Sequence, residues 1–290
     1  MARLLRSVLV LACAAATFAP FSRAAGIFDY DRAAPLDLRE IRRETRDEAL
    51  VRDVTFDGGG RTVQAYLVGP ASATGSSAGI LYVHWLGEPA TTNRTEFLNE
   101  ALALAGHGVV SLLVDAMWAE PGWYERRVPE EDYERSVGQV IALRRALDAL
   151  LAQPGVDPAR LAYVGHDFGA MYGTVMGAVD RRPKTYVLMA GTPHFVDWFL
   201  FARKPRDPAA YRAQLAPLDP VAHVARLAPA PVFFQFAATD EYVSAQAAAE
   251  FYAAAAPRKQ AVTYRAGHDL HTAEVTTDRI SWLLRELNPR

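Results

Sequence analysis

Cysteine is almost absent: the 290 residues contain one, Cys13. That excludes a disulfide framework and any cysteine-rich metal site. No tract of lysine and arginine interleaves with aromatic residues, which argues against nucleic acid as a partner. No apolar stretch reaches the roughly 20 residues a membrane-spanning helix needs. Internal repeats are missing, as are low-complexity tracts beyond alanine-rich helical stretches. His107, His194 and His223 are scattered without metal-ligand spacing, so neither a metal nor another cofactor is expected. What is present is 51% hydrophobic and 22% charged residues with a formal net charge of -2. That balance suits one large soluble α/β domain.

The first 24 residues read as an export signal. Arg3 and Arg6 form a positive start, Val8 to Ala16 a short apolar core, and Ser22-Arg23-Ala24 places small residues where a signal peptidase reads. The expectation is cleavage after Ala24, a periplasmic or secreted product without cysteine, and no stable membrane insertion afterwards. Loss of Arg3, Arg6 and Arg23 lowers the basic count from 31 to 28 against 33 acids. Residues 25–290 then form a single domain.

Residues 26–50 are charged and irregular and read as a surface arm. Val51 to Phe56 and Thr62 to Val68 read as strands joined through Asp57-Gly58-Gly59-Gly60, which tolerates positive φ. Further short apolar runs of strand length begin at Gly79, Val109, Leu161, Thr185, Pro231 and Ala261. Helical stretches alternate with them, including Thr95 to Ala105, Asp132 to Gln153, Ala245 to Ala255 and Thr272 to Leu287. Buried strands alternating with helices imply a mostly parallel sheet of about eight strands covered on both faces. Met117 to Pro129 is an aromatic loop. Residues 191–229, with Trp198, Phe199 and Phe201, read as a small cap insertion.

The most informative stretch is Gly165-His166-Asp167-Phe168-Gly169, between the apolar run Leu161 to Val164 and a helix of small residues. Strand, tight turn and helix form the setting of a nucleophile elbow, with Asp167 where the G-x-S-x-G pattern has serine. Downstream, Phe233 to Phe236 runs into a turn with Asp240 at its tip, and Tyr264-Arg265-Ala266-Gly267 does the same for His268. Polar groups at the carboxyl ends of parallel strands lie where such sheets bind ligands.

In these segments the sequence resembles the α/β-hydrolase superfamily, and within it the dienelactone-hydrolase-like branch. The resemblance covers nearly all of residues 25–290. It implies an α/β-hydrolase fold and a catalytic triad of Asp167, Asp240 and His268. Dienelactone hydrolases carry cysteine at the first position and most esterases carry serine. Haloalkane dehalogenases and epoxide hydrolases carry aspartate there, in a similar G-H-D-W-G setting. The chain thus resembles an esterase-type scaffold with a dehalogenase-type nucleophile.

The aspartate changes the chemistry. A serine must pass its proton to histidine before attack, whereas a carboxylate is ionised near neutral pH. Attack by Asp167 would give an enzyme ester, and His268 would activate the water that hydrolyses it. Asp240 would fix the imidazole tautomer. The backbone N–H of Phe168, with one from Trp85 or Leu86, would form the oxyanion hole. Triad order favours Asp240 over Asp219, which reads as a turn or helix start, and over Asp115, which ends a strand and could line the pocket. The Ala-Gly-His setting favours His268 over His271.

His84, His166, Trp118, Trp123 and Trp198 are expected around a substrate pocket. Tyr124, Tyr133 and Tyr211 are candidates for the acidic tyrosines an epoxide would need. Phe168 lacks the side-chain N–H with which dehalogenases typically grip halide. The expectation is an exported hydrolase of a small organic substrate, the bond being ester, lactone, epoxide or carbon–halogen. The alternative is a serine-esterase-like or lactonase-like scaffold with a degenerate nucleophile, acting as a weak hydrolase or a non-catalytic binding protein.

Overall fold

In the computed structural model, which describes residues 26–72, 75–88, 92–201 and 204–289, nine strands form one sheet. The expected signal segment and Cys13 lie outside the described residues. The strands are β1 (Arg39–Arg46), β2 (Ala49–Asp57), β3 (Thr62–Pro70), β4 (Ser77–Val83), β5 (Val109–Val114), β6 (Val156–His166), β7 (Thr185–Met189), β8 (Val232–Ala237) and β9 (Lys259–Tyr264). Their order is β1-β2-β3-β5-β4-β6-β7-β8-β9. The pairs from β1 to β5 are antiparallel, and all pairs from β5 to β9 are parallel.

The sequence implied about eight strands, and β1 is the extra one. Residues 26–50 read as an irregular arm, but Arg39–Arg46 pairs with β2 along its length. Six of its eight residues are charged and it shows no apolar alternation, because an edge strand buries little. The β2–β3 hairpin closes as its residues dictate. Gly59 and Gly60 take φ of 85° and 111°, and Asp57 Oδ1 accepts their N–H groups at 3.1 and 3.2 Å.

The helices are α1 (Leu98–Ala105), α2 (Trp123–Arg126), α3 (Asp132–Leu151), α4 (Phe168–Val179), α5 (Val196–Phe199), α6 (Pro208–Leu215), α7 (Pro220–His223), α8 (Ala245–Ala254) and α9 (Ala273–Leu287). Strand β4 is buried at every position. Its period of two divides the core: Leu81 and Val83 join the cluster built with α3 and α4, and Ile80 and Tyr82 join the one built with α1 and α9. A buried ion pair fastens the second layer. Arg279 Nε on α9 donates to Glu100 Oε2 on α1 at 2.9 Å, Tyr82 Oη donates to Glu100 Oε1 at 3.0 Å, and Arg279 Nη1 donates to Gln235 Oε1 at 3.0 Å. Helices on both faces leave the carboxyl ends of the parallel strands as the open rim, and the loops after β4, β6, β8 and β9 meet there.

Candidate active site

Strand β6 ends at His166 and α4 begins at Phe168, so the chain turns over one residue. Asp167 takes φ 59° and ψ -120°. Such backbone costs a non-glycine residue about 1–3 kcal/mol. The bend needs bare flanks. A Cβ on Gly165 would lie 2.4 Å from Gly169 O, and one on Gly169 would lie 2.3 Å from Val83 O. The turn is anchored by Asp167 N–H, which donates to Met189 O at 2.8 Å.

The Asp167 side chain meets two groups from other loops. Its Oδ2 accepts the Leu86 N–H at 3.0 Å and lies 3.7 Å from His268 Nε2. Its Oδ1 is buried and has no hydrogen-bond partner among the described residues. On the far side of the ring, His268 Nδ1 lies 2.9 and 3.0 Å from the two oxygens of Asp240. Asp240 Oδ1 also accepts the N–H groups of Tyr242 and Val243 at 2.9 and 2.8 Å. Burial pushes the Asp240 carboxyl upward, but the imidazole and these two N–H groups hold it below its ordinary value. For His268, burial favours loss of the proton, yet the Asp167 and Asp240 carboxylates outweigh it and lift the ring to about 9. The resting ring is therefore an imidazolium at neutral pH.

These residues front a cavity of about 510 Å³. Asp167, Phe168 and His268 form its floor, and Trp123, Tyr124, Trp198 and Tyr242 contribute walls. Trp198 comes from α5, within the 191–229 segment. It packs edge-on against Phe168 at 5.1 Å and His268 at 6.0 Å between ring centroids. That segment therefore borders the site directly.

Three residues expected at the pocket do not line it. His84 is buried behind the floor, its Nδ1–H donating to Trp85 O at 2.8 Å and its Nε2 accepting Ala116 N–H at 3.1 Å. Burial pushes its pKa down, which suits a neutral ring. Trp118 is covered by Trp123, Phe168 and Tyr172, and its Nε1–H goes to His84 O at 3.2 Å. His166 lies beneath the loop of His268, with Nδ1 2.7 Å from Glu96 Oε1 and Nε2 donating to His268 O at 2.9 Å. All three fill the space under the strand ends, where close packing leaves no cavity.

Of the two alternative oxyanion donors, Trp85 has its N–H committed to Glu96 Oε2 at 2.9 Å, so Leu86 alone faces Asp167. Asp115 is bound by Arg94, through N–H at 2.8 Å and Nη1 at 3.1 Å, and does not line the cavity. Asp219 receives Phe195 N–H and faces His194 Nδ1 at 3.0 Å, at the start of α7. Tyr211 donates to buried Asp132, leaving Tyr124 as the one expected tyrosine in the wall. Two contributors went unread. Tyr242 stands edge-on to His268 with ring centroids 4.9 Å apart, and only its place directly after the Asp240 turn hints at this. Glu96 braces His166 and Trp85 from a segment whose pattern gives no sign of it.

The strand order, the elbow after β6 and the turns after β8 and β9 define an α/β-hydrolase fold. Solved structures share it. An acetyl xylan esterase from a Paenibacillus species superposes with TM-score 0.73 at 18% identity, covering 88% of this chain and 90% of that one. Acetyl xylan esterase 1 from a Thermoanaerobacterium species gives 0.71 at 14% identity, covering 89% and 90%. A Klebsiella pneumoniae protein described as a dienelactone hydrolase gives 0.56 at 17% identity, covering 79% and 94%. No family profile and no curated protein matches the sequence.

Proposed function

We propose that this chain is a hydrolase of the dienelactone-hydrolase-like branch that cleaves a small organic substrate through an ester formed on Asp167. The observation that supports this most is the placement of Asp167 Oδ2, 3.0 Å from the Leu86 N–H and 3.7 Å from His268 Nε2. Hydrogen bonding already grips one oxygen, and the other, Oδ1, has no partner among the described residues and keeps its lone pairs for bond formation. An Asp167 oxygen attacks an electrophilic carbon, and the leaving group departs with the bonding electrons. Water then adds to the Asp167 carboxyl carbon while His268 takes its proton. The Leu86 N–H, with that of Phe168 at the first position of α4, stabilises the oxyanion. Collapse of that intermediate releases the alcohol and restores the carboxylate.

The charge on His268 supports this sequence of events. In the resting site two carboxylates keep the ring protonated, to about 9. Esterification of Asp167 removes one negative charge beside the ring, which weakens its hold on the proton, and the proton passes to the departing group. The base is thereby released at the step that needs it. The esterase names of the structural neighbours make carboxylic esters a natural substrate class to try, though attack on them by Asp167 passes through a mixed anhydride.

A single turnover in heavy-oxygen water with an epoxide or haloalkane, the substrates that would leave an alkyl ester on Asp167, tests the reading. Mass spectrometry of the peptide holding Asp167 should find label in its carboxylate. Labelled product beside unlabelled Asp167 would remove the covalent step.

A further inference from the structure

The cavity is charged as well as aromatic. Among the described residues that line it are five carboxyl groups, Asp167 on the floor and Glu88, Glu120, Glu125 and Glu241 towards the mouth, with no lysine or arginine. Glu120 pairs with exposed Arg126 at 3.5 Å, Glu88 has an interaction of its own, and the His268 imidazolium faces Asp167. Glu125 and Glu241 still give the opening walled by Trp123, Trp198 and Tyr242 a negative potential. Clefts with low-dielectric walls and charge of one sign concentrate ligands of the other sign. Ring faces add to this, because the aromatic quadrupole attracts ammonium groups, tryptophan most strongly.

The floor adds a further carboxylate, Asp167, 5% exposed. An anionic substrate would meet repulsion from rim and floor together. A neutral one could donate a hydrogen bond but would gain no charge attraction.

We propose that the cavity over Asp167 accepts organic cations, small molecules carrying an ammonium group on an apolar or aromatic body. The inference rests on the reading of this cavity as the substrate site, and it deepens that reading by assigning a substrate class. The body lies between Trp123 and Trp198, and the cationic end is drawn to Glu125 and Glu241.

Three probes of similar size separate charge from shape: benzylammonium, benzyl alcohol and benzoate, measured by calorimetry or by quenching of tryptophan fluorescence in the full chain. Benzylammonium should bind roughly tenfold tighter than benzyl alcohol, with benzoate weakest. The advantage should shrink between about 0.01 M and 1 M salt, as the screening length falls from about 30 Å to 3 Å. Joint replacement Glu125→Gln and Glu241→Gln, both at exposed positions, should weaken benzylammonium several-fold and leave benzyl alcohol unchanged. Equal affinities, a preference for benzoate, no binding of any probe, or a cation preference indifferent to the double replacement would each overturn the proposal. Cation preference without label in Asp167 refutes the nucleophile alone, and label without cation preference refutes the substrate class alone.

Discussion

The ring of His166 holds the main chain of His268: its Nε2–H donates to the His268 carbonyl oxygen at 2.9 Å, while Glu96 braces its Nδ1 at 2.7 Å. His166 is fully buried and does not line the cavity, so it acts through the loop it supports.

Replacing His166 with alanine frees that loop. A displacement of about 1 Å at a reacting group can cost about 100-fold in rate. The expected outcome is a fall in kcat of that order with KM little changed. His166→Gln, whose amide can donate to the same carbonyl, should recover part of the loss. Steady-state kinetics on the two variants checks this, and equal losses in both would show that the contact positions nothing.

The raised pKa of His268 links folding to pH. The ring sits at about 9 when folded, against about 6.5 for an unperturbed histidine. A raised value means that the proton stabilises the folded state. The contribution is complete below about 6.5 and is lost as pH rises towards 9. Denaturation midpoints should therefore fall across that window, and Asp240→Asn should flatten the fall. In Asp167→Asn, the proton resonances of His268 should titrate at lower pH than in the parent, since one of the two carboxylates that retain the proton is gone. A midpoint independent of pH in the parent chain contradicts this.

The elbow depends on glycine at both flanks. Gly165→Ala and Gly169→Ala place a methyl carbon against main-chain oxygens at 2.4 and 2.3 Å, where no flexible side chain can yield. Overpacking of this kind costs about 1–3 kcal/mol or more. Gly138, with open space around its added Cβ, serves as the control. Gly138→Ala should be neutral or slightly stabilising within helix α3, where alanine is favoured by up to about 1 kcal/mol. Chemical denaturation of the three variants gives the comparison.

The Arg279–Glu100 pair should be costly to break from one side. The two side chains are 6% and 3% exposed. Glu100→Ala strands a buried guanidinium, for which about 3–5 kcal/mol is typical. A joint Arg279→Met and Glu100→Leu variant should recover part of that loss, because no charge is left unpaired, although Tyr82 Oη and Gln235 Oε1 each lose a partner. Denaturation midpoints for the single and double variants decide the matter.

The strands of the parallel half were legible because each is an apolar run bounded by polar turns, the pattern left by burial on both faces. The three positions that meet at the candidate site, Asp167, Asp240 and His268, stand out because each follows such a run. Strand β1 was not, since its arginines and glutamates carry no trace of a core. His84, His166 and Trp118 were misread for a related reason. Residues near strand ends are polar or aromatic whether they face a cavity or pack beneath it, and only the main-chain partners of their ring nitrogens decide which. Glu96 could not be seen at all, because its role is set by the distant His166 and by an N–H eleven positions earlier in the chain.

Strand β1 also bears on how copies of the molecule meet. It presents Arg39, Arg42, Arg43 and Arg46 along the outer margin of the sheet, with Glu40 and Glu44 occupied by neighbouring arginines. A second copy approaching this margin to continue the ladder would have to accommodate a row of long charged side chains in which arginines outnumber glutamates. Like charges there discourage end-to-end growth into ribbons.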